Sequence, residues 1–285
     1  MMRQFIFGCL FLVLVLVGCE TAITPIVGTP QPYTMFGYLG AERDTQRVHV
    51  IPVRDQLDLL DPSMPIDATV MSTNVNSGDE RQWNDSLVFF DDGSWAHVFW
   101  SEFRAIPLDT YRIDVRRADG ATSTASTKIP LAPTGITEDP TILGTRLVQQ
   151  RVRWTPATRL VDVLVEYDAR AVIPGSPARI VEVPYSAVQL GDDWVVDVNL
   201  SGDFNVVTAS FPGSPVILNE IRMSVFSVDE AWVPPGGIFD FELLSEPGTL
   251  DNVENGFGFV GAGVRESLTW LPDSTVLSTI GYTVP

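Results

Sequence analysis

From Tyr33 onward the chain alternates apolar and polar positions with period two. The stretches are short, rich in Val, Ile, Thr, Tyr and Phe, and separated by Gly, Pro, Asp and Asn. That period puts successive side chains on opposite faces of extended backbone, so each stretch predicts a half-buried strand. Ile66, Ala68 and Val70 alternate with Asp67, Thr69 and Met71, and Tyr111, Ile113 and Val115 alternate with Arg112, Asp114 and Arg116. In the first half the predicted strands are 33–39, 46–53, 66–73, 86–91, 95–100, 110–117 and 121–128. In the second half they are 146–154, 160–168, 179–184, 194–200, 204–210, 220–228 and 238–244. There Val161, Val163, Val165 and Tyr167 face one way, with Asp162, Leu164 and Glu166 opposite, and Trp194, Val196, Val198 and Leu200 repeat the design. No segment of eleven or more residues keeps a 3.6 period, so only short helices are expected, for instance around 56–60.

Two turn signals fit this pattern. Asp91-Asp92-Gly93-Ser94 and Ala118-Asp119-Gly120 each set Asp-Gly between strand-like runs, where glycine takes positive φ at little cost. Leu108-Asp109-Thr110-Tyr111, followed by an alternating strand, resembles the tyrosine corner of immunoglobulin-like domains, whose phenol bonds backbone a few residues upstream. The pattern breaks at Ile129-Pro130-Leu131-Ala132-Pro133. The expected fold is therefore all-β, with two β-sandwich domains of immunoglobulin or fibronectin-III-like type. The first spans 33–130, and a C-terminal β-rich domain spans 131–285.

Upstream of the strands, Arg3 precedes an apolar run from Phe5 to Val17 that is shorter than the roughly 18 to 20 residues a membrane-spanning helix needs. This is the pattern of a secretory signal. The run ends in Leu16-Val17-Gly18-Cys19, which resembles the lipobox of bacterial lipoproteins. The resemblance implies a signal peptide at 1–18, cleavage before Cys19 and acylation of that cysteine, palmitate being a typical chain. The competing reading is ordinary signal cleavage that leaves a free thiol. Two acyl chains make a lasting tether where one binds only marginally. Glu20 follows, rather than the aspartate associated with inner-membrane retention, which leans towards the outer membrane. Residues 19–32 carry three prolines and no apolar period, as suits a tether between lipid and first strand.

The cysteines are Cys9 and Cys19, so the expected mature chain has no pair to form a disulfide and none to ligate a metal. Its 267 residues are enough to build apolar cores without such staples. Asp and Glu number 36 against 18 Lys and Arg, for a net charge of −18, and Lys128 is the only lysine. Nucleic acid is an unsuitable partner, because phosphate neutralisation needs clustered cations. The acidity serves solubility, or reflects a saline or cation-rich habitat.

Several features coincide in order: the lipobox, the tether, an opening strand with Phe36-Gly37-Tyr38, the Tyr111 hairpin ending in Lys128-Ile129-Pro130, and the stretch from Asp251 to Gly261, DNVENGFGFVG. Together they resemble the uncharacterised lipoproteins commonly encoded beside TonB-dependent outer-membrane receptors in Bacteroidetes-type bacteria. In that family the last element reads approximately S-N-I-x-N-G-x-G-x-F-G. Asn252, Asn255, Gly256, Gly258 and Gly261 match it, while Asp251, Val253 and Val260 replace Ser, Ile and Phe. The family often carries a tyrosine-rich stretch where this chain has Asp229-Glu230-Ala231-Trp232, which puts any inherited binding role in question. The resemblance implies an outer-membrane lipoprotein whose partner is a TonB-dependent receptor. It implies no established activity.

Physically, the glycines of the last element allow a close backbone approach or a tight turn, and the expectation is a structural turn or edge strand packed by Phe257 and Phe259. A phosphate cradle would need a following Lys-Ser or Lys-Thr and a helix, and neither is present in the pattern. The histidines, His49 and His97, sit in predicted strands without metal-ligand spacing. No Gly-x-Ser-x-Gly elbow occurs. Acidic loops at 58–61, 91–92 and 191–193 offer oxygen ligands for calcium but lack an EF-hand pattern. Carboxylate pairs for glycoside cleavage are a property of the fold and stay open.

The expectation is a protein that is not an enzyme, with no cofactor and no metal. It acts as a binding or accessory component of a TonB-dependent uptake system, or else as a structural or adhesive surface protein; exposed aromatics such as Trp83, Trp95, Trp100 and Trp232 would serve either role, although most aromatics are core. A secreted hydrolase ranks third. Cys19→Ser should move the protein from the detergent phase to the aqueous phase of a Triton X-114 partition. Unchanged partition would remove the lipid anchor from the reading.

Overall fold

The alternating runs become strands in the computed structural model, which describes residues 31–53, 66–89, 95–144, 147–233 and 249–284. Cys19 and the signal segment, the predicted helix at 56–60, the Asp91–Ser94 turn and the predicted strand 238–244 lie outside the described residues. Strands dominate, in three open sheets, with two helices among the described residues. The all-β expectation is met at that level.

The first sheet runs through β1 (Tyr33–Gly40), β2 (Thr45–Pro52), β6 (Trp95–Glu102) and β5 (Asn84–Phe89), these four strands pairing antiparallel in that order. Over it lies a second sheet, of β4 (Glu80–Gln82), β3 (Thr69–Asn74), β7 (Thr110–Arg116), β8 (Thr122–Lys128) and the short β17 (Val253–Glu254). The inward positions of both sheets, among them Met35, Val48, Phe99, Val70, Ile113 and Ala125, form one apolar core. Tyr111 lies in that core, and its hydroxyl accepts the Ile106 N–H at 3.2 Å, five residues upstream. The corner bond expected from Leu108–Tyr111 is thus formed. Gly120 takes a φ of 91° in the β7–β8 turn, as the Asp-Gly signal requires.

The second half has its own core. β9 (Thr134–Thr137), β10 (Thr141–Leu143), β11 (Leu147–Thr155), β14 (Val188–Leu190) and β15 (Asp193–Val198) make the third sheet. Its inward residues Val148, Val152, Trp154, Val196 and Val198 meet Val163, Val165 and Tyr167 of β12 (Arg159–Ala171) and Ile221, Met223 and Val225 of β16 (Val216–Val228). β13 (Arg179–Tyr185) borders β12. The helices α1 (Leu200–Ala209) and α2 (Ser274–Ile280) pack onto this core through Leu200, Val207, Val276 and Leu277.

The strand predicted at 204–210 is a correction: those residues fall largely within α1. Asn199 caps the helix, its side chain accepting the Gly202 N–H at 3.0 Å, and the buried residues Leu200, Asp203 and Val207 recur at helical spacing. The stripe was hidden in the sequence because its middle member is a carboxylate. Asp203 is held in the core by the hydroxyls of Tyr167 and Tyr185, the latter at 2.7 Å.

β18 (Gly256–Trp270) joins the halves. Its residues 256–263 run parallel to β1, Tyr33 opposite Gly256 and Gly40 opposite Gly263, and its residues 263–270 run antiparallel to β16, Val228 opposite Gly263 and Ile221 opposite Trp270. The partner changes at Gly263, so an eight-stranded sheet crosses the boundary expected at residue 130, and Val253, Val260 and Ala262 belong to the first core. The glycine-rich element is therefore central, not an edge. Its first nine positions are buried on both faces apart from Phe257, as in a strand covered from two sides.

Gly258 explains one glycine directly. Its φ is 95°, and a Cβ there would lie 2.3 Å from the Met35 carbonyl oxygen of β1. Gly78 also has positive φ, but open space around it. Gly258→Ala should cost about 3 kcal/mol or more, combining backbone strain with a clash against main chain, whereas Gly78→Ala should cost about 1 kcal/mol from strain alone. Urea unfolding of both variants checks the contrast, and equal losses would contradict the close β1–β18 approach.

Candidate functional site

The sequence-matched residues gather around β17 and the first half of β18. Asn255, at φ 51°, makes the turn between the two strands, and the Ser123 hydroxyl donates to its carbonyl at 2.8 Å. The Asn252 side chain acts as a short surrogate strand: its amide donates to the Val260 carbonyl and its oxygen accepts the Val260 N–H, both at 2.9 Å. Gly261 and Gly263 leave room for aromatic rings. A Cβ on Gly261 would meet the Trp232 indole at 2.2 Å, and one on Gly263 the Phe226 ring at 2.3 Å. Trp232, Phe226, Phe259 and Tyr38 meet there edge to face, with centroids 5.1 to 6.4 Å apart. Phe259 joins this cluster and Phe257 does not. Asn252, Asn255, Gly256, Gly258 and Gly261 thus build structure, and Gly256 follows the same rule, since a Cβ there would meet the Tyr33 carbonyl at 2.7 Å.

What that structure holds is the segment 229–232. The Asp229 N–H donates to the Ala262 carbonyl of β18 at 3.1 Å, and the Trp232 ring covers Gly261. The Asp229 carboxylate accepts the Thr127 hydroxyl of β8 and, at 3.2 Å, the Ala231 N–H. Fixed in this way, Asp229, Glu230 and Ala231 form one wall of a cavity of about 490 Å³. The other walls come from four separate stretches: the corner at Leu108 and Thr110, the end of β8 with residues 128–131, the 156–158 turn between β11 and β12, and Asp192 between β14 and β15. The first three residues of Asp229-Glu230-Ala231-Trp232 therefore supply a cavity wall.

Two features of the lining are costly in isolation. Leu108 is held at φ 70°, a left-handed conformation that a bulky side chain rarely adopts, by its N–H bond to the Ile129 carbonyl at 2.8 Å, and its side chain stays half exposed at the cavity. Burial pushes the Asp229 carboxyl up to about 6, against the opposing pull of the Thr127 hydroxyl and the backbone amides of Ala231, Lys128 and Ala262. Lys128, Glu230 and Asp192 stand exposed around it. At neutral pH the lining carries three carboxylates and one ammonium, over an apolar floor of Ile129, Pro130 and Ala157.

The remaining candidates lie elsewhere. His97 is buried against Asp85, with Nδ1 2.8 Å from a carboxylate oxygen, and burial followed by the neighbouring His97 lowers the pKa of His49. Among the described residues no three His, Cys, Asp or Glu side chains are grouped to hold a metal. Asp193 of the acidic 191–193 loop is engaged by Arg153 at 3.1 Å. Of the aromatics expected at the surface, Trp83 and Trp232 are corrections: both are buried in cores, and Trp83 donates to the Ser72 hydroxyl at 2.9 Å. Trp100 is half-buried, with its indole donating to Ser86 at 2.9 Å. The sequence places Leu108 in a tyrosine corner and Asp192 in an acidic loop, and only the fold brings these and the other three stretches together on one cavity.

No protein-family model matches the chain, and no curated protein matches it.

The Asp229 carboxyl makes stability depend on pH with a definite sign. The unfolded chain releases this proton near 3.8 and the folded chain near 6. Between those values the folded state holds more protons, so stability falls as pH rises through that window, by an amount on the order of 3 kcal/mol, and is level above it. Asp229→Asn should remove that decline. Urea unfolding at pH 4 and pH 7 reads it, and an equal pH dependence in both proteins would exclude Asp229 as the titrating group.

Proposed function

We propose that the protein is a lipid-anchored outer-membrane lipoprotein, tethered through Cys19, that binds a small ligand as a non-catalytic accessory of a TonB-dependent uptake system. The observation that carries the binding role is the cavity between the two cores: it is large enough for a drug-sized ligand, and mixes apolar and charged lining as such sites do. The anchor and the receptor partner are supported by the lipobox and by the ordered resemblance that ends in Asn252–Gly261.

In architectural terms we read the two cores as two immunoglobulin-like β-sandwiches that share β18. The support is the pair of facing sheets around each core and the corner bond of Tyr111. The burial of Trp83 and Trp232 removes two of the aromatics that either a binding or an adhesive surface would have used.

The partner is tested by solubilising native outer membranes in gentle detergent, capturing a C-terminally tagged protein and identifying what accompanies it by mass spectrometry. A stoichiometric TonB-dependent receptor is the expected outcome. Recovery of the lipoprotein alone, acyl chains intact, would remove the accessory role and leave a free-standing surface protein.

A further inference from the structure

From the lining of the cavity we infer that its ligand is an organic cation on an apolar body, with the chemistry of an arginine or lysine side chain beside an aliphatic one. The inference rests on reading the cavity as the binding site. Charge selects the sign: Asp192 and the adjacent pair Asp229 and Glu230 come from two different segments and share the lining with one cation, Lys128, so the walls carry two net negative charges. The chain as a whole, at −18, adds a field of the same sign that draws cations towards it. An anion would have to enter against both.

Shape selects the apolar body. Leu108 is kept in a left-handed conformation with its side chain half exposed on the wall, and Leu131 is exposed on the same cavity. A leucine held exposed on a cavity wall in a left-handed backbone is placed to touch something. The lining has no aromatic ring, so the cation is met by carboxylates and aliphatics rather than by ring faces.

The probes are N-acetyl-leucyl-arginine amide and its neutral isostere N-acetyl-leucyl-citrulline amide, titrated into the full-length protein by calorimetry at pH 7. The arginine probe is expected to bind at least tenfold more tightly than the citrulline probe. Asp192→Asn with Glu230→Gln should cut arginine-probe affinity about tenfold without changing the melting temperature of the free protein, since both carboxylates are exposed. Lys128→Met should raise it, a change of opposite sign that misfolding does not produce. Equal affinity for the two probes would overturn the cationic class while leaving the cavity as a binding site. No heat and no melting shift with either probe would overturn the cavity reading itself.

Discussion

A strand that pairs in parallel with β1 along one half and antiparallel with β16 along the other must satisfy two sheets at once, and β18 does so over fifteen residues. Its parallel half closes a contact between Tyr33 and Gly256, near opposite ends of the described chain, so the first core is complete only after the second half has been made. Such a contact carries a large loop-closure cost and little local encouragement, and the pairing of β1 with β18 is the last to be favoured by chain connectivity. The glycines of the motif follow from it. Backbone approaches backbone at Gly258, and rings approach backbone at Gly261 and Gly263, so side chains there are excluded by both neighbours.

The cavity is a consequence of that junction. β16 ends where β18 changes partner, and the chain leaving β16 turns at Asp229 with its N–H on Ala262 and its carboxylate on Thr127. One wall is therefore anchored to a strand of each core-forming sheet it touches, while the opposite walls come from the connection after β8 and the turns of the second half. A site assembled in this way holds its geometry for as long as both cores hold. Relative movement of the two cores would change the spacing between Glu230 and Asp192, which sit on separate walls.

Strand periodicity made most of the sheet legible: β1, β2, β6, β7, β8, β11, β12 and β16 lie where period-two alternation puts them, because each has one apolar face on a core. Tyr111 and the Asp-Gly turn at 119–120 were legible for a different reason, since their signals are local and complete within a few residues. α1 was not, because Asp203 replaces an apolar residue on its buried face and only the distant phenols of Tyr167 and Tyr185 make that tolerable. The central place of the glycine-rich strand was hidden likewise, its cause lying in Met35, Trp232 and Phe226. Lys128 and the 229–232 stretch stood out in the sequence by composition, yet nothing in the spacing joined them to Leu108 or Asp192.

Departures from local preference are informative by where they fall and whether neighbours answer them. Asn255 and Asp162 also take positive φ, but their short polar side chains tolerate it, and Asp162 is further held by Arg265 at 2.6 Å. Asp203 is a buried carboxylate answered by two phenols. Leu108 is a bulky residue in a left-handed backbone, and Asp229, like Asp203, is a carboxylate whose burial outweighs its hydrogen-bond donors. Leu108 and Asp229 line the same cavity. A bulky residue in a left-handed backbone and a carboxylate raised by burial thus share one concave surface, and it is this coincidence in space, not either departure alone, that makes the surface the place to test for a ligand.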